Sequence, residues 1–133
     1  MKIVTWNVNS INARIEHLVK FIKKDQSDIY LIQELKCINE AFPYEEVEKL
    51  GYISYVEGQK AWNGVAILSK IKLKILNRKI PTFNEDVQSR FLETEIKINK
   101  IKKPIKLFCI YLPNGNPIET EKFDYKIKWM KKF

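Results

Sequence analysis

The run Ile29-Tyr30-Leu31-Ile32 constrains this chain more than any other feature. Large apolar residues in succession, followed at once by Gln33-Glu34-Leu35-Lys36, fit a strand covered on both faces. Such a strand needs a layer above it and a layer below. The rest of the chain supplies them by alternating short apolar runs with helical stretches, the pattern of an α/β layered domain. Ile3-Val4-Thr5-Trp6 reads as a first strand ending at Asn7-Val8-Asn9-Ser10. Ile15, Leu18, Val19 and Ile22 then recur at helical spacing and predict an amphipathic helix from about Asn12 to Asp25, capped by Ser10 or Asn12. Pro43 to Leu50 fits a short helix, with Pro at its start and Gly51 beyond its end. Strands are expected at Tyr52–Val56, Val65–Leu68, Phe91–Ile98 and Lys106–Leu112, with Leu73–Ile75 as a further candidate. Phe91, Glu93, Glu95 and Lys97 alternate with Leu92, Thr94, Ile96 and Ile98, which predicts one solvated face. From about Glu119 onward, Phe123, Ile127 and Met130 share one helical stripe. No repeat, linker or low-complexity segment interrupts the pattern, so residues 1–133 are read as a single domain.

Composition narrows the setting. No apolar run approaches the roughly 18 residues a membrane span requires, and the opening Met-Lys-Ile-Val-Thr-Trp-Asn turns polar too quickly for a signal peptide. Cys37 and Cys109 match no metal spacing and are too few for a disulfide framework, so both are expected as reduced thiols. The expectation is a soluble cytoplasmic protein without membrane contact. A formal charge of +8 suits an acidic partner such as nucleic acid. Yet 21 of the 24 basic residues are Lys, and Ile is abundant, which an AT-rich coding bias would also produce.

Four segments hold candidate chemistry, each with a plainer alternative. Asn7-x-Asn9 ends the first strand just before a helix, where ligands of open α/β sheets bind and helix N–H groups point outward. Two carboxamides there could hold a phosphate or a hydrated metal, or could simply make the turn. Glu34 leaves a doubly covered strand, a costly place for a carboxylate unless a cation neutralises it. A magnesium ion, which takes one or two carboxylates and keeps several waters, would serve, and so would Lys36. Tyr111 ends a strand above the loop Pro113-Asn114-Gly115-Asn116-Pro117, placed either to donate to a phosphate oxygen or to pack. The stretch from Gly58 through Lys60, Trp62 and Asn63 to Ile67 could follow a nucleic-acid backbone or stack on a base, or form an ordinary surface loop. Arg90 is placed for a bidentate phosphate contact or for an ion pair with Glu85 or Asp86. His17, alone within the first helix and without a second ligand at metal spacing, is read as structural.

Taken in order, these segments resemble a known family. Lys2-Ile3-Val4-Thr5-Trp6-Asn7-Val8-Asn9-Ser10-Ile11-x-Ala13-Arg14 is similar to the opening of exonuclease III and abasic-site endonucleases, and Leu31-Ile32-Gln33-Glu34-Leu35-Lys36 to their second motif. Gly58-Gln59-Lys60, Gly64-Val65-Ala66-Ile67-Leu68-Ser69-Lys70, Gln88-x-Arg90 and Tyr111-x-Pro113-Asn114-Gly115 follow in the family's order. The resemblance implies a four-layer α/β sandwich: two mixed, mostly antiparallel sheets packed face to face, with helices outside. It implies hydrolysis of DNA phosphodiesters, at abasic sites or from 3′ ends of double-stranded DNA, with magnesium or manganese. Asn7 and Tyr111 would be catalytic, Glu34 and Asn7 would hold the metal, and Arg90, Lys60, Asn114 and Asn9 would touch DNA. The family's later Gly-Asp-x-Asn and Ser-Asp-His motifs do not occur in these residues. The chain is therefore expected to be the amino-terminal portion of such an enzyme, to cleave little by itself, and to expose one apolar sheet face that favours self-association.

Overall fold

The computed structural model describes residues 1–98, 101 and 103–133. Its elements run β1 (Ile3–Asn7), α1 (Ile11–Asp25), β2 (Ile29–Gln33), a 3-10 turn (Asn39–Ala41), α2 (Tyr44–Glu48), β3 (Ile53–Glu57), β4 (Val65–Ser69), β5 (Lys74–Asn77), β6 (Phe91–Ile96), β7 (Ile105–Ile110) and α3 (Glu121–Lys132). One sheet has the order β1-β2-β4-β3 and the other β5-β6-β7. β1 and β2 run parallel with Ile3 opposite Ile29 and Asn7 opposite Gln33, because α1 carries the chain back between them. The remaining described pairings are antiparallel.

Three buried clusters divide the layers. Tyr30 and Ile32 of β2 face outward onto Leu18 and Ile22 of α1 and Val47 of α2. Ile29 of the same strand faces the other way, onto Leu92, Ile96 and Cys109 of the second sheet. This is the arrangement that the unbroken apolar run demanded. The outer face of the second sheet is closed by α3 and the residues before β6, through Ile80, Phe83, Phe91 and Trp129. The layers are thus helix, sheet, sheet, helix, and the four-layer α/β sandwich stands. Truncating a fully buried residue of this kind, such as Leu18 or Ile32 to Ala, costs about 2–5 kcal/mol.

Three expectations need correction. β6 has no solvated face: Phe91 is covered by Trp129, and Glu93 is 3% exposed. That carboxylate is accommodated because Lys106 and Asn77 donate to it at 2.9 and 2.5 Å, which also holds its carboxyl below the ordinary range. On α3 the inward stripe is the half-buried Tyr125 and the buried Trp129, one turn apart, while Met130 points to solvent. Finally, no whole sheet face lies open among the described residues, since the two sheets pack on each other through Ile29, Ile67, Leu92 and Cys109. Exposed apolar side chains remain at the sheet edges, among them Ile3 on β1 and Ile53 on β3. His17 is exposed on α1 and serves neither the core nor a ligand set.

Candidate active site

The carboxyl ends of β1 and β2 lie side by side, which sets Asn7 next to Gln33 and brings Glu34 into reach. β2 does not run on past Gln33: Glu34 adopts φ 56° and Lys36 φ 55°, in the left-handed region. A non-glycine residue is held there only when its surroundings overdetermine it, and such residues gather at functional sites. Here Ser10 N–H donates to the Glu34 carbonyl at 2.8 Å, Ile11 N–H to that of Leu35, and Leu35 N–H to that of Gly64. The amides opening α1, expected to face a ligand, instead pin the end of β2.

That pinning aims the Glu34 side chain at a ring of donors. Asn7 Nδ2 and the Tyr111 hydroxyl donate to its Oε1 at 2.8 and 2.6 Å, and Lys36 Nζ lies 3.2 Å from Oε2. Burial opposes ionisation, but these three donors outweigh it and hold the carboxyl below its ordinary value. Tyr111 is affected the other way. Burial and the Glu34 charge raise its phenol, so at neutral pH it is a proton donor and not a base.

Asn7 makes the turn that was its plainer alternative and also bonds Glu34. Its Nδ2 orients Glu34 while its Oδ1 accepts the Asn9 N–H at 3.1 Å, closing the turn. Asn7 thus orients the Glu34 carboxylate through Nδ2 while its oxygen is engaged by the turn. Asn9, at φ 47°, accepts from Lys36 Nζ through Oδ1 and from Arg14 through its carbonyl, both at 2.5 Å.

Glu34 opens onto a cleft of about 340 Å³ lined by Lys36, Trp62, Arg90, Tyr111, Asn114 and Lys122 among others. It is the one acidic residue among the described residues that line it. Arg90 forms neither of the ion pairs considered for it; Glu85 pairs with Lys128 instead. Its guanidinium lies 4.7 Å from the centre of the Tyr111 ring, with Nε donating to Gln88 and Nη1 to the Tyr111 carbonyl. Asn114 borders the cleft, its carbonyl taken by Lys126 Nζ at 3.2 Å. Gly115 sits at φ 73°, and a Cβ there would stand 2.5 Å from Lys126 Cδ, so that side chain would have to shift. Lys60 does not line the cleft and sits exposed on the neighbouring loop, whereas Trp62 does line it and is 68% exposed. Gln59 is turned inward, accepting from Asn63 and from the Ser89 N–H, so much of that motif is scaffold. Gly58 is required by packing: a Cβ there would meet the Cys37 carbonyl at 2.4 Å.

Comparison with known proteins bears on this arrangement directly. Residues 4–117 match the model of the endonuclease/exonuclease/phosphatase family. The chain belongs to that family. It is similar to exodeoxyribonuclease III of Haemophilus influenzae, with 42% identity over 134 residues that cover 97% of this chain and 48% of the relative. Its fold matches the structure of the Neisseria 3′ phosphatase NExo bound to a product DNA hairpin, at TM-score 0.91 and 31% identity, covering 99% of this chain and 49% of that one. It also matches an AP endonuclease from Archaeoglobus fulgidus at TM-score 0.88 and 31% identity, again over 99% and 49%. The chain therefore spans about half the length of the relatives it matches.

One aromatic residue of this site escaped the sequence reading. Tyr125 lines the cleft, as do Gln88 and Asn63 from the segments already named, yet Tyr125 was given no part in it. Tyr125 could have been found from its spacing to Trp129, a four-residue aromatic pair on the last helix. Gln88 and Asn63 stood in segments the sequence marked, but their bond to each other, Asn63 Nδ2 donating to Gln88 Oε1 at 3.0 Å, arises from loops that meet only in the fold.

Proposed function

We propose that this chain carries the phosphate- and metal-binding part of a DNA-repair nuclease that hydrolyses DNA phosphodiesters, as an abasic-site endonuclease and 3′–5′ exonuclease. The observation that carries the reading is Glu34: a carboxylate on a left-handed backbone, held ionised by Asn7, Tyr111 and Lys36, at the mouth of a cleft lined with cations and an exposed Trp. One carboxylate opening onto a wet cleft fits magnesium, which keeps most of its waters; manganese would fit as well. Glu34 would be its ligand, with Asn7 setting the carboxylate's direction. When bound, the ion would polarise a phosphate oxygen and offset the charge that builds on it.

The chain's own residues do the rest of what can be assigned. Tyr111 donates its phenolic proton in a hydrogen bond, to Glu34 in the free state and to a phosphate oxygen in a complex. Arg90 and Lys36 offset phosphate charge, with Lys60 and Lys122 extending the basic track along the strand. Trp62 presents a ring on which a base or deoxyribose can stack. Similarity to a relative whose structure holds a DNA hairpin supports double-stranded DNA with abasic sites or 3′ ends as the substrate.

A second reading has an observation of its own. The lining of the cleft offers no acid or histidine besides Glu34 among the described residues, so no general base stands ready to deprotonate a water. On that reading the 133 residues bind DNA and do not cut it. Incubating the purified chain with an abasic-site duplex in Mg²⁺ tests whether the 133 residues cut as well as bind. Binding that falls with Arg90→Ala, without nicking, is the expected result for the chain alone. Nicking that requires Asn7 and Glu34 would show that these residues suffice for catalysis.

A further inference from the structure

Asp86 is a buried carboxylate whose Oδ1 accepts from the Gln88 N–H at 3.0 Å and whose two oxygens accept from the Tyr125 hydroxyl at 3.1 and 3.0 Å. Neutral donors alone are poor compensation for a buried charge. Behind the Tyr125 ring stands Arg90, its guanidinium carbon 5.9 Å from the ring centre and 4.7 Å from the centre of Tyr111. Both distances lie within the range of a cation–π contact. Gln88 closes the circuit, accepting Arg90 Nε at 2.8 Å through its side chain. Tyr111 in turn donates to Glu34. A continuous line of contacts thus runs from α3 and the loop before β6 to the carboxylate that faces the cleft.

We propose that Asp86 and Tyr125 are positioning residues for this cleft: Asp86 fixes the Tyr125 phenol, the two tyrosine rings together fix Arg90, and Arg90 fixes Tyr111 on Glu34. Neither residue needs to touch a ligand. Burial and the Asp86 charge hold the Tyr125 phenol well above its ordinary value, so it stays a donor at any working pH. The arrangement also gives α3 a task beyond covering the second sheet. The helix braces the cleft twice, through Tyr125 on Arg90 and through Lys126 on the Asn114 carbonyl.

A purely structural Tyr125 would fill the same space against Phe83 and Trp129, and Tyr125→Phe keeps that ring while removing the bond to Asp86. The inference rests on Glu34 as the metal ligand, so the test reads clamp and ligand separately in the purified chain. The clamp is read from the Arg90 Nε–Hε NMR signal, which lies in the ring currents of both tyrosines. The ligand is read from Mn²⁺ titration, followed by paramagnetic broadening, in wild type and Glu34→Gln. Tyr125→Phe and Asp86→Asn should each displace and broaden the Arg90 signal and weaken Mn²⁺ binding on the order of fivefold, somewhat less than loss of a direct outer-shell partner costs. The circular dichroism spectrum should be unchanged. An Arg90 signal that stays put in both variants overturns the clamp. So does wild-type Mn²⁺ affinity in both while Glu34→Gln abolishes binding. Wild-type affinity in Glu34→Gln would instead sink the ligand reading, leaving the Arg90 result to decide the clamp.

Discussion

Asp25 and Glu34 are both held toward their charged form, and they do opposite work. Asp25 closes α1 and accepts from Lys2 Nζ at 2.5 Å, from the Tyr30 hydroxyl at 2.9 Å and from the Ser27 hydroxyl. The network goes on inward, since the buried Tyr30 hydroxyl accepts the Ser27 N–H and Tyr52 donates to the Ser27 carbonyl. Glu34 likewise takes three donors, but on a left-handed backbone and beside an open cleft. Bonds from Lys2, Ser27 and Tyr30 pull the Asp25 carboxyl well below its ordinary value; the Glu34 carboxyl moves the same way. A lowered carboxyl therefore reports a satisfied charge. It marks a functional site only where satisfaction coincides with backbone strain and with space for a ligand.

The largest effect that would break this contrast is on ligand binding. Glu34→Gln should weaken Mn²⁺ binding by at least about tenfold, while Asp25→Asn leaves it at the wild-type value. Calorimetric or NMR titration checks this, and equal losses in the two variants would erase the distinction. The next effect is on stability and should fall on the other region. Tyr30→Phe removes a fully buried hydroxyl that serves Ser27 and Asp25, and should destabilise by about 1–3 kcal/mol in urea melts. Glu34→Gln should cost less, because relief of a constrained, partly exposed carboxylate offsets part of the lost bonding. Gly115→Ala should come third, at about 1 kcal/mol, for the strain of a side chain at φ 73° against Lys126. It should also loosen the cleft, whereas a change near Asp25 should not.

The unequal legibility of the two regions has a physical cause. Glu34 could be read from sequence because a charged residue directly after Ile29–Ile32 is an anomaly that needs a partner, and Tyr111 because it stands above a loop of turn residues. Strand and helix positions followed from spacing to within a residue or two. The pairing of Asp25 with Lys2 and Tyr30 had no such mark, since each is unremarkable in its own segment. The solvated face foreseen for β6 failed because alternation describes one strand, whereas burial depends on what arrives later in the chain, here Trp129 over Phe91. The clamp on Arg90 stayed invisible for the same reason: Asp86, Arg90, Tyr111 and Tyr125 meet only once both sheets and α3 are in place.

The smallest effect is also the sharpest test of the contrast, because it follows from sign alone. A carboxyl whose folded value lies below its unfolded one adds stability that is fully present above the unfolded value and is lost as pH falls through the folded one. Both carboxyls meet that condition, from ordinary values of 3.8 for Asp25 and 4.5 for Glu34. Asp25 is displaced further, so Asp25→Asn should flatten the acid limb of stability more than Glu34→Gln does. Urea midpoints taken from about pH 5 down to about pH 2, through which the Asp25 share is lost, compare the two slopes. A Glu34→Gln variant with the flatter limb would mean that Glu34 is the structural carboxylate. Its strained backbone would then be a cost of packing, with no ligand to explain it.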